Sequence, residues 1–134
     1  MSDIAEFVHQ NAAKVTPVIL RGIHQQLPRL KLEFAEIHAP KYPHLVDQLE
    51  FLADVIEDYA EDADGDIPYF VLAEACFALA YAHKQDDLIP SHVPDVGYAD
   101  DSSVVRTVLI ENEKALSEYA KRHGLDWSEI TTRA

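Results

Sequence analysis

The chain has 134 residues, 48% of them hydrophobic, and a formal net charge of −13. That length and apolar content suit one domain with one sizeable core and leave no room for a second independent one. So acidic a chain is a poor match for nucleic-acid backbones, whose recognition needs lysine and arginine to replace condensed counterions.

The charge is unevenly placed. Residues 1–45 sum to +1, residues 46–101 to −14 and residues 102–134 to zero. A field of that sign suits a basic protein surface or divalent cations as partners, and it also serves plain solubility. The single cysteine, Cys76, lies in an apolar run. No disulfide framework follows, and a reducing, cytoplasmic setting is expected. Ser2 to Glu6 lack the basic start and apolar run of a secretory signal. The longest apolar stretch, Ile67 to Ala82, holds Pro68 and Glu74 and falls short of the ~20 residues that cross a bilayer. A soluble protein with no membrane contact is expected.

In chain order, Asp3 and Glu6 resemble a capping box, and Ile4, Phe7, Val8, Val15, Val18, Ile19 and Ile23 recur at helical spacing. Pro17 predicts a kink near Thr16 or a division into two helices. Pro28 is expected to end the next segment or start another. Leu30, Phe34 and Ile37 then carry a helical stripe to His38, after which Ala39 to Pro43 form a connector, with Pro43 suited to open the next helix.

From His44 to about Asp62, Leu45, Leu49, Leu52, Ile56, Tyr59 and Ala63 mark one helical face. Asp47, Glu50, Asp54, Glu57, Asp58 and Glu61 fall on the other, which predicts that this helix carries most of the acidic surface to water. Phe51 projects toward the acids, either as a partner-docking point or, as expected here, packed against the N-terminal region. Asp62, Asp64, Gly65 and Asp66 suggest a calcium loop, but an EF-hand register puts Ala60 and Val71 where carboxylates are required. Helix termination at Gly65, a cap at Asp66 and Pro68 in the next first turn explain the stretch better.

Residues 67–83 leave almost no polar face, so this helix should be central, or should hide a face in a homo-oligomer. Glu74 is its one charged group. Buried there, an ionised carboxylate needs a partner or is driven toward its neutral form. Cys76, in the same apolar helix, is expected to be inert as a nucleophile. Farther on, Asp100 and Asp101 are placed to cap a helix whose buried face is Val105, Val108, Leu109, Asn112, Leu116, Tyr119 and Ala120. Lys121 and Arg122 suit its C-terminal end, and Gly124 ends it. Leu125, Asp126, Trp127 and Ile130 should fold back as a tail anchored by the indole. No alternating run argues for a sheet. The expected fold is all-α, a single-domain bundle of about five helices around the central apolar helix 67–83.

The stretch Asp86 to Asp101 holds two prolines, a glycine and five aspartates, more than a connector requires. Asp87, Leu88, Ile89, Pro90, Pro94, Gly97, Tyr98, Asp100 and Asp101 resemble the D-L-I-P-D-x-I-P-x-x-G-x-x-D-D signature of the YkvA-like family of bacterial domains. The likeness covers roughly residues 66–112 and leaves residues 1–43 as an N-terminal helical extension. Ser91 stands where that family usually has a second aspartate. The resemblance implies a helical core and no particular reaction.

Pro90, Pro94 and Gly97 should make the loop rigid. Two readings of its aspartates stand. Asp87, Asp95, Asp100 and Asp101 can serve as oxygen ligands for a divalent cation such as magnesium or calcium, with His92 and Tyr98 beside them. Alternatively, they cap helix ends and bond backbone amides. The candidate binding residues are thus Asp87, Pro90, His92, Asp95, Tyr98, Asp100, Asp101 and Glu74. Two functions follow, a non-catalytic interaction module for a basic protein or a metal-dependent hydrolase with His92 as acid or base. A mimic of nucleic acid or a neutraliser of a basic toxin is a variant of the first.

Overall fold

A computed structural model describes residues 3–37, 44–61, 67–83 and 97–131, with the backbone alone for 97–100. Those residues form seven helices and no strand: α1 (Asp3–Ala12), α2 (Pro17–Ala35), α3 (Leu45–Ala60), α4 (Tyr69–His83), α5 (Gly97–Glu111), α6 (Glu113–Arg122) and α7 (Trp127–Ile130). The fold is all-α.

The break before α2 falls at Pro17. Thr16 adopts extended backbone and its hydroxyl accepts from the Ile19 amide at 3.3 Å, while Pro17 opens the helix, where its missing N–H costs nothing. Pro28, by contrast, neither ends nor starts a helix; it lies inside α2. The reason is tertiary. Leu27 and Leu30 beside it are fully buried, and packing that face outweighs the ~3 kcal/mol that an internal proline costs. The most deeply buried residues of α1 are not its most hydrophobic: Ala5, Val8 and Ala12 go fully inward, while Ile4 stays 41% exposed and Phe7 38%, the latter with its ring edge-on to Phe77 and Tyr81.

α4 is the centre. Every residue from Val71 to Ala80 is buried, and the helix packs against α1, α2, α3 and α5. At its start the Pro68 carbonyl accepts from the Val71 and Leu72 amides. The core is one connected apolar cluster to which all helices except α7 contribute fully buried groups; α7 adds the half-buried Trp127 and Ile130.

α3 buries a broader face than its leucine stripe, including Phe51, Ala53 and Val55. Phe51 packs edge-on to Tyr119 and beside Trp127, so its ring partners lie in the C-terminal helices rather than in the N-terminal region that the sequence suggested. The acids of α3 do not simply face water. Lys31 of α2 donates to Asp54 at 3.1 Å and to Glu57 at 3.2 Å, His24 pairs with Glu61 at 3.2 Å, and the Tyr119 hydroxyl of α6 donates to Asp58. A broad buried face packs α3 against α2, α4 and α5, and brings Lys31, His24 and the Tyr119 hydroxyl within reach of carboxylates that helical projection alone assigns to solvent.

The single C-terminal helix expected from the sequence is two, divided at Asn112. The expected buried face holds nonetheless, from Val105 to Ala120. The Asn112 side chain donates to the Val108 carbonyl at 2.9 Å and shares that acceptor with its own backbone amide. At the end of α6, Gly124 takes φ 71°, and the Leu125 and Gly124 amides bond back to the Ala120 and Lys121 carbonyls. That is a Schellman ending. The tail returns as α7, capped by Asp126. Gln48 donates to the Ile130 carbonyl and Arg106 to that of Thr131, so side chains of α3 and α5 hold it in place.

Candidate functional site

Glu74 is the sequence-predicted site residue whose surroundings the structure describes most fully. It sits on the α1-facing side of the central helix and is 4% exposed. Its carboxylate is partnered twice. His9 Nδ1 of α1 lies 2.6 Å from Oε2, and Asn112 Nδ2 donates to Oε1 at 2.7 Å. The other His9 nitrogen, Nε2, lies 3.3 Å from Glu111 Oε1 at the end of α5. An imidazole with a carboxylate at each nitrogen donates to both only as the imidazolium. Partial desolvation lowers the His9 pKa, but the hydrogen bonds and charges of Glu74 and Glu111 outweigh it and hold it above the ordinary 6.5.

This network forms the polar side of a cleft of about 470 Å³. Ala12, Ala13, Val15, Tyr69, Phe70 and Ala73 supply the apolar side. The volume falls within the ~300–1,000 Å³ of typical ligand sites, and an apolar lining with a few convergent polar groups is their usual composition. Phe70 is 61% exposed and forms a ridge, because a second hollow of about 290 Å³ lies against it, lined by Pro68, Val71, Glu111, Asn112, Lys114, Ala115 and Glu118. The Tyr69 hydroxyl donates to the Val15 carbonyl at 3.0 Å, which fixes the ring at the cleft wall.

The other predicted site residues are placed differently. Asp87, Pro90, His92 and Asp95 lie outside the described residues. So do Pro43 and the Asp62 to Asp66 stretch. Tyr98 and Asp100 fall on the backbone of the first turn of α5, and Asp101 follows them, 2% exposed. The helix therefore opens at Gly97, earlier than the acid pair suggested, so Asp100 and Asp101 are internal helical residues rather than its cap. Among the described residues, no group of three or more His, Cys, Asp or Glu side chains is placed to hold a metal ion. Cys76 is buried, and desolvation pushes its thiol pKa up to about 12, consistent with an inert thiol. No described helix is long and apolar enough to cross a membrane.

Sequence reasoning missed His9 and Glu111. Asn112 was legible as a polar residue on a buried stripe, and Glu74 as an acid in need of a partner. Nothing in the sequence joined the two, since 38 residues separate them. No protein-family model, curated protein or solved structure matches the chain.

Proposed function

We propose that the protein is a non-catalytic interaction module for a basic protein partner. The observation that supports this most is the cleft between α1, α4 and the α5–α6 junction. Its polar lining groups are engaged with one another or with backbone: His9 with Glu74 and Glu111, Asn112 with Glu74, Tyr69 with the Val15 carbonyl. Polar groups held in this way suit recognition by shape and charge. The residues around them leave exposed aromatic surface, and the chain's −13 charge favours a basic partner through long-range attraction.

The test is a titration of the full chain with labelled basic and acidic peptides of equal length at several ionic strengths. Basic peptides should bind, and more weakly as salt rises from ~0.02 M to ~0.2 M, because screening shortens the field's reach. If no basic peptide binds even at the lowest salt, the reading is wrong.

A further inference from the structure

Resting on the interaction reading, we infer that the cleft receives an arginine side chain from a basic segment of a partner protein, its guanidinium lying against Phe70 and Tyr69 and bonded to the Glu111 carboxylate. Among the described residues the lining of the cleft carries two carboxylates, Glu74 and Glu111, against a single cation, the His9 imidazolium, and neither lysine nor arginine, so an acidic excess is left for a guest. Glu74 is enclosed and doubly bonded. Glu111 is the accessible acid, its side chain 36% exposed and, among the described residues, held by the longer 3.3 Å contact to His9 alone.

The geometry favours arginine over other cations. Phe70 and Tyr69 open the central helix side by side and expose aromatic surface at the cleft rather than in the core. A guanidinium is planar, stacks on aromatic faces and meets a carboxylate with two parallel N–H donors, whereas an ammonium is a compact and strongly hydrated point charge. The hollow on the other side of the Phe70 ridge, with Pro68, Val71 and Ala115 in its wall, suits an apolar side chain next to that arginine. Its rim holds Glu118 beside Lys114, so the surroundings of the ridge remain acidic on balance. The partner segment thus presents an arginine and a neighbouring apolar residue that straddle Phe70.

The experiment is a fluorescence-anisotropy titration of the full chain with a labelled, capped peptide of alternating leucine and arginine pairs. The same peptide with citrulline or with lysine in place of arginine is the comparison. Citrulline keeps the shape and removes the charge, so its binding should fall on the order of ten-fold or more, with lysine between the two. Phe70→Ser and Glu111→Gln should each weaken the arginine peptide on the order of ten-fold, as expected where a few anchors carry most of the affinity. Both positions are exposed, and circular dichroism and urea unfolding would confirm that the variants stay folded. Equal binding to wild type and both variants overturns the cleft assignment while leaving the interaction reading in place. Absence of binding by every basic peptide overturns both. Concentration-dependent self-association abolished by Phe70→Ser, seen by sedimentation, assigns the ridge to a second copy of the chain and likewise overturns the inference.

Discussion

His9 Nδ1 lies 2.6 Å from Glu74 Oε2, across 65 residues of sequence, and this contact ties the first helix to the buried centre of the bundle. It gives a deeply placed carboxylate a cation where α1 meets α4, and Asn112 completes its hydrogen bonding from the α5–α6 junction.

Removing the carboxylate should therefore cost more than a surface change. Glu74→Ala leaves the Asn112 amide without one of its acceptors in a buried setting, and a loss of about 1–3 kcal/mol is expected from urea unfolding. Glu74→Gln retains an acceptor at Oε1 and should lose less. Equal losses for the two variants would mean that the Asn112 bond contributes little.

The same contact makes stability depend on pH. The folded-state pKa of His9 is raised, so the native state holds the proton more tightly than the unfolded chain does. Its contribution is fully present below the unfolded pKa of about 6.5 and is lost as pH rises through the folded value. The gap in urea midpoint between wild type and His9→Gln should be widest near pH ~5.5 and narrow above neutrality, modestly because the imidazole is 37% exposed. A gap that is constant across this range would contradict the linkage.

Thr16 is the N-cap of α2, so Thr16→Ala should destabilise by about 1 kcal/mol, while Thr16→Ser should be close to neutral. Thermal unfolding of the pair separates loss of the hydroxyl from loss of the methyl group.

Pro28 works against its own helix. Because it is exposed inside α2, Pro28→Ala should stabilise by about 1–2 kcal/mol, the gain in helix propensity being partly offset by a freer unfolded chain. A destabilised variant would show that the proline shapes α2 in a way its neighbours depend on.

Cys76 should resist thiol reagents in the native state, since it is buried and its thiol pKa is pushed up to about 12. Its modification at pH ~8 should track unfolding across a urea series, because only opening of the core exposes the sulfur. Rapid labelling without denaturant would place the opening of α1 from α4 well below global unfolding in free energy.

How much of this was legible in the sequence follows from the range of the forces involved. The all-α class, a central apolar helix, a break at Pro17 and the Gly124 ending depend on residues within about one helical turn of each other, and composition and spacing report them directly. The central helix nonetheless starts at Tyr69 rather than at residue 67, and the sequence left a kink or two helices open at Pro17. Glu74 was likewise legible as a buried acid that required a partner. That Phe51 packs was legible, but not against what: Tyr119 and Trp127 of the C-terminal helices take the place expected of the N-terminal region.

What only the tertiary structure decided concerns which helix faces meet. His9, Asn112 and Glu111 converge on one cleft because α1 and α5 both pack on α4, and no local spacing encodes that azimuth. Pro28 stays helical because the buried leucines beside it outweigh its local cost, and the α3 acids are engaged because Lys31 and Tyr119 reach them around a wider buried face than the leucine stripe implied. Local propensity is a matter of at most about 1 kcal/mol for an ordinary residue and about 3 kcal/mol for an internal proline, whereas burying two large apolar side chains such as Leu27 and Leu30 is worth ~3–6 kcal/mol. Where the two disagreed in this chain, packing prevailed.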